Sequence, residues 1–122
     1  MASMKKSFLL ICRRAPYGQS LAREALDVAL TAATFDQQVA MLFLGDGVLQ
    51  LLKGQQPAAI AQKALDKQLA ALPLYDIEMV YVEAEALQQR GLALSDLALP
   101  AQALSADAIA EQINMHDVVL GF

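Results

Sequence analysis

The chain has 122 residues, 57% of them hydrophobic and only 18% charged, with a mean hydropathy of +0.38. That length holds one domain with a real core and excludes two. No apolar run approaches the ~20 residues of a membrane helix, so no membrane span is expected. Net charge is −4 with a pI near 4.7, and the basic residues are scattered apart from Lys5-Lys6 and Arg13-Arg14. Nucleic acid is therefore not an expected partner, because no basic stripe supplies the affinity. Surplus apolar residues point to strands buried on both faces and to surface given over to a partner.

A single cysteine, Cys12, leaves no internal disulfide. Lys5-Lys6 and Arg13-Arg14 bracket a stretch too short for a signal peptide, so a cytoplasmic location is expected. Met1-Ala2-Ser3 ahead of Met4 are set aside as a candidate expression remnant.

Ser7 to Cys12 (SFLLIC) is a continuous apolar run, as in a strand buried on both faces. Pro16 and Gly18 break the following segment, Arg13 to Gly18. A helix is predicted from about Gln19 to Thr34, with Ala22, Ala25, Leu26, Ala29 and Ala33 on one face. Gln38 to Leu44 reads as a second buried strand, closed by Gly45-Asp46-Gly47 and a short helical turn over Val48 to Leu52. Pro57 suits the first turn of a helix that runs to about Leu72 and is stopped by Pro73.

Glu78 to Val82 is the third strand, followed by a short helix over Ala84 to Arg90 that Gly91 ends. A fourth strand is placed at Ala101 to Leu104. Ser105 caps a last helix with Ala106, Ile109, Ala110 and Ile113 facing inward, and Asp117 to Leu120 is a fifth strand. Strands alternating with helices imply an α/β domain with a mostly parallel sheet covered on both faces. Ligands and partners then meet the carboxyl ends of the strands. Those ends carry Arg13 to Gly18, Gly45 to Val48, Val82 to Glu85, and Phe122.

None of the residues at these ends forms a specific catalytic pattern. Cys12 lies within a buried strand and reads as a small hydrophobe rather than a reactive thiol. Arg13-Arg14 precede a helix N-terminus, but the loop lacks the glycines that let backbone approach a pyrophosphate. Asp46 between two glycines reads as a turn residue. Glu83 and Glu85 read as helix-start acids, and His116 has no second ligand at metal spacing. Apolar patches are expected at Val48 to Leu52 and Leu72 to Tyr75, outside the regular elements.

APYG (Ala15 to Gly18), DGVLQLLKGQQP (Asp46 to Pro57), LYDIE (Leu74 to Glu78) and ALQQRGL (Ala86 to Leu92) occur in that order, and the chain closes on DVVLGF. Together they resemble the TusC/DsrF branch of the DsrE/DsrF family of sulfur-relay proteins, over Lys5 to Phe122. The resemblance implies a three-layer α/β/α single domain over residues 5–122, with a five-stranded parallel sheet in the order 4-3-2-1-5. It also implies a heterohexamer with TusB-like and TusD-like paralogues, two copies of each. That complex takes persulfide sulfur from a TusA-like carrier and passes it to a TusE-like carrier, for 2-thiolation of the wobble uridine of tRNA.

In the TusD/DsrE branch the sulfur-carrying cysteine ends the third strand. The matching position here is about Val82, in YVEAEALQQRG, with no cysteine within reach. The resemblance thus implies a non-catalytic subunit with no cofactor and no metal. Its interface candidates are Arg13, Arg14, Tyr17, Val48, Leu51, Leu52, Tyr75 and Phe122. Three alternatives stay open: a DsrEFH-like subunit in dissimilatory sulfur metabolism, a self-contained carrier using Cys12, and a flavodoxin-like binder of nucleotides or phosphoanions using Arg13 and Arg14.

Overall fold

The computed structural model describes residues 6–13, 21–52 and 69–122. Five strands, β1 (Ser7–Cys12), β2 (Gln38–Phe43), β3 (Met79–Glu83), β4 (Gln102–Leu104) and β5 (Val118–Gly121), form one sheet in the order β4-β3-β2-β1-β5. All four pairings are parallel. Three α-helices are described: α1 (Leu21–Thr34), α2 (Ala84–Gln89) and α3 (Ala106–Met115). Short 3-10 turns at Gly45–Leu51, Leu72–Tyr75 and Leu94–Asp96 complete the path.

β2 alternates its side chains between two apolar clusters, and both are dry. Val39, Met41 and Phe43 join Leu10, Cys12, Val80 and Val82 beneath Ala25, Leu26 and Ala29 of α1. Ala40 and Leu42 join Leu9 and Leu104 on the opposite face, beneath Ile109 of α3. Burial on both faces explains why SFLLIC and QVAMLF read as continuous apolar runs rather than alternating ones.

The same hydrogen-bonded stop ends three helical segments. After α1, Asp36 N–H bonds to Ala33 O and Gln37 N–H to Ala32 O; after the Leu72–Tyr75 turn, Asp76 N–H bonds to Pro73 O and Ile77 N–H to Leu72 O. After α2, Gly91 N–H bonds to Gln88 O and Leu92 N–H to Leu87 O. Each stop needs a left-handed residue, supplied by Asp36 (φ 61°), Asp76 (φ 61°) and Gly91 (φ 64°). Aspartate is among the few side chains that tolerate that conformation.

The structure moves several expected boundaries. Leu44 falls just outside β2, although its N–H still donates to Cys12 O at 3.0 Å and adds one last rung to the β1–β2 ladder. β3 runs one residue later than expected, ending at Glu83, and β5 begins at Val118 because Asp117 is held in a side-chain clasp. The loop through Gly18, the expected helix start at Gln19 and most of the expected Pro57 helix lie outside the described residues; that helix's end, at residues 69–71, runs into the Pro73 turn. The inward face expected of the last helix is corrected most. Only Ile109 of α3 is buried, while Ala106 and Ala110 are exposed and Ile113 is 38% exposed. The cluster beneath α3 is small, and the ten-residue helix meets it chiefly through this one side chain.

The clasp ties β1 to β5 at the amino edge. Asp117 Oδ2 accepts from Ser7 N–H at 2.9 Å and from Ser7 Oγ at 3.1 Å, while Asp117 N–H donates to Ser7 Oγ at 3.0 Å. The Ser7 N–H, and after it the Ser7 hydroxyl, hold the Asp117 carboxyl below the ordinary carboxylate range. A lowered native pKa gives stability that is present above the unfolded-state pKa and lost as pH falls through the native one. Asp117→Asn is therefore expected to lower the melting temperature at pH 7, with a gap from the wild type that is narrower at pH 3. Equal gaps at both pH values, read by thermal melts, would show that the carboxylate adds nothing.

Candidate functional site

The carboxyl edge of the sheet gathers the ends of β1, β2 and β3 around one tight loop. Gly47 lies against β1: a Cβ built on it would stand 2.0 Å from Cys12 O, so only glycine fits there. Gly47 N–H bonds to Leu44 O at 2.8 Å. From β3, Glu83 Oε1 accepts the Gly45 N–H at 3.0 Å. Arg90, just past α2, donates from Nη2 to Asp46 Oδ1 at 2.6 Å and from Nη1 to Ala86 O at 3.1 Å. Three neighbours thus fix the Gly45–Gly47 loop, which is strongly pre-organised by short-range contacts.

Sequence reading made Asp46 a turn residue and Glu83 a helix-start acid. The structure adds a tertiary partner to each, Arg90 for Asp46 and the Gly45 amide for Glu83. These partners stand 44 and 38 positions away. Only the β2–β3 pairing brings them together, and no local motif announces it.

Cys12 is 1% exposed within the α1-side cluster, and burial pushes its thiol up to about 12. A thiol held so far above neutrality is neutral at physiological pH and a poor nucleophile. Val82 is fully buried in the same cluster. His116 holds Gln112 O through Nδ1 at 2.7 Å, ahead of the amino end of β5. No group of three His, Cys, Asp or Glu side chains placed to hold a metal occurs among the described residues.

Arg13 and Phe122 meet at this edge. Arg13 N–H bonds to Phe122 O at 3.1 Å and Phe122 N–H to Ile11 O at 2.8 Å, extending the β1–β5 ladder. Arg13 is exposed and makes no ion pair among the described residues, and half-buried Phe122 packs on the core. Arg14 and Tyr17 lie outside the described residues. The apolar patch expected at Val48 to Leu52 is corrected: Val48 and Leu51 are fully buried in the chain's own core. Their 3-10 turn folds inward, where Leu52 forms a bridge to Leu97. Tyr75 is 45% exposed but belongs to the opposite edge, ahead of β3.

No described helix is long and apolar enough to cross a membrane. The model of the DsrE/DsrF-like family matches residues 6–122. A protein from Pseudomonas aeruginosa named "Protein TusC homolog" is 44% identical over 117 residues, covering 96% of this chain and 98% of that one. A Vibrio parahaemolyticus protein of the same name is 43% identical, covering 90% and 93%. "Intracellular sulfur oxidation protein DsrF" from Allochromatium vinosum is 42% identical over 97 residues, covering 80% of this chain and 71% of its own. The crystal structure of the ychN protein from E. coli superposes with a TM-score of 0.83 at 21% identity, covering 98% of this chain and all of that one. That likeness establishes the fold: a parallel sheet in the order 4-3-2-1-5 with helices on both faces, as the resemblance implied.

Gly47→Ala is expected to destabilise the protein by about 1–3 kcal/mol, because a backbone carbonyl must give way. Gly121→Ala, whose Cβ would meet Arg13 Nη2 at an ordinary 3.7 Å, should stay within about 0.5 kcal/mol of the wild type. Denaturant titration that found the two substitutions equal would refute the close β1 contact.

Proposed function

The chain belongs to the DsrE/DsrF-like family, and from that premise we propose that it is a non-catalytic subunit of a cytoplasmic sulfur-transfer complex. Residues 5–122 act as one domain within a heterohexamer of TusB-like and TusD-like paralogues. The complex takes persulfide sulfur from a TusA-like carrier and hands it to a TusE-like one, for 2-thiolation of the tRNA wobble uridine. The sulfur-relay assignment follows from relatives named TusC and DsrF at 42–44% identity. The tRNA branch is favoured over sulfur oxidation because the TusC homologues match over nearly their whole length, against 71% of the DsrF chain.

One observation carries the non-catalytic reading: the chain's single thiol is buried and held neutral. A sulfur carrier needs a thiolate that an incoming persulfide can reach. The β3 end offers Val82, buried, and Glu83, engaged with the Gly45 amide. The sulfur-bearing cysteine then belongs to the TusD-like partner. Arg13 and Arg14, with Tyr17 and Phe122, help wall the approach to that cysteine, where positive charge stabilises an anionic sulfur. Leu52 and Tyr75 remain candidate interface residues.

Deleting this chain from its host is expected to remove wobble 2-thiouridine, measured by mass spectrometry of tRNA nucleosides, and Cys12→Ala should restore it. Retained thiolation in the deletion strain would sink the tRNA reading. Lost sulfur transfer in a stably assembled Cys12→Ala complex would overturn the non-catalytic one. Reversing both charges, Arg13→Glu with Arg14→Glu, should slow sulfur passage through the assembled complex about tenfold, the effect of removing about 1.4 kcal/mol. A normal rate leaves the two arginines without that role.

A further inference from the structure

The LYDIE segment has no part in the carboxyl-edge site, yet it carries Leu74, the most exposed large hydrophobic side chain among the described residues, and runs directly into Met79. Leu74 is 83% exposed, Tyr75 45% and Met79 42%. These residues lead into the amino end of β3, where the sheet is notched. β2 pairs with β3 from Met79 onward, but β4 pairs with β3 only from Tyr81. Met79 and Val80 therefore have no strand beside them on the β4 side.

The chain entering β4 bends past this gap through Leu99 and Pro100, and two adjoining hollows of about 260 and 240 Å3 result. The larger is lined by Leu72, Ile77, Val80, Leu99 and Pro100 on its apolar side, with Glu78 as its one charged residue. Glu78, Val80 and Pro100 line both. A space of this size falls just below the ~300–1,000 Å3 of cofactor and ligand sites, and suits a side chain instead.

Charge selects among macromolecular occupants. Glu78 lines both hollows and Asp76 directly precedes Ile77 of the larger one's lining; both carboxylates are exposed, and neither forms an ion pair among the described residues. No basic residue lies within the Leu72–Tyr81 or Leu97–Gln102 stretches. Pro100 supplies no N–H to the open edge, which discourages simple strand addition and leaves side-chain insertion as the mode of contact.

We propose that the notch beside Met79 and Val80 is a docking site for a partner segment that inserts one bulky apolar side chain and sets a lysine or arginine against Asp76 and Glu78. The inference rests on the reading of this chain as a complex subunit, and adds the place and chemistry of one contact. Apolar insertion supplies the affinity, and the two carboxylates supply register and association rate.

A photo-crosslinking residue, p-benzoylphenylalanine, placed at Leu74 or Met79 tests it in the full chain co-expressed with its TusB-like and TusD-like paralogues. Both positions are expected to capture one partner peptide with an apolar residue and a lysine or arginine within three positions of it. Glu78→Lys should slow association about tenfold at low ionic strength, and the gap should close at high salt. A complex that assembles with no cross-link from either position overturns the inference and leaves the subunit reading intact. So does capture of a peptide without a basic residue, or of a second copy of this chain. No assembly with either paralogue overturns both.

Discussion

β2 has no wet side, and the rest of the molecule follows from that. All five residues from Val39 to Phe43 are buried, and full burial of a side chain the size of Met41, Leu42 or Phe43 is worth about 1.5–3 kcal/mol. A strand dry on both faces needs neighbours on both edges and cover above and below. β1 and β3 supply the edges, and helices supply the cover. Parallel pairing suits such a strand, because each crossover returns a helix to one face of the sheet. The outer strands relax the demand: β4 is three residues long with two exposed, and β5 alternates half-buried and exposed positions.

Constraint at the centre produces order at the carboxyl edge. The parallel ladder brings the ends of β1, β2 and β3 side by side, so one short loop touches a carbonyl from the first and a carboxylate from the third. Arg90 adds a charge-assisted bond from the end of α2. The loop is thereby held without a ligand. In the proposed complex, an edge of this kind is a surface against which another subunit's reactive group can be placed, since placement needs rigidity more than chemistry.

The strands, their order of appearance and the helix stops at Pro73 and Gly91 were legible in the sequence, because two-sided burial writes itself as an unbroken apolar run. Gly45-Asp46-Gly47 announced a turn but not its partners, since Glu83 and Arg90 become neighbours only through strand pairing. Val48 and Leu51 were misread as surface for an instructive reason. A 3-10 turn has no amphipathic period long enough to recognise, so burial there is decided by what lies beneath it. α3 erred in the opposite sense: Ala106, Ile109, Ala110 and Ile113 have helical spacing, yet the sheet beneath offers cover for Ile109 alone. The patch expected at Leu72 to Tyr75 is exposed at Leu74 and Tyr75 but buried at Leu72, and the two-residue lag of β4 behind β3 that opens the gap beside Met79 is not encoded in composition.

The β1–β5 ladder carries a kinetic consequence. Ser7 and Asp117, which fasten it, stand 110 positions apart, so its closure spans nearly the entire described sequence. Local pairs such as β1 with β2 close far shorter loops and lose less chain entropy in doing so. Until β5 arrives, one edge of β1 shows an open row of amides and carbonyls alongside Phe8, Leu9, Leu10 and Ile11. That is the composition of a segment prone to intermolecular strand pairing. The pairing with the largest loop to close thus also covers this apolar edge, which ties the protection of β1 from intermolecular pairing to the docking of β5.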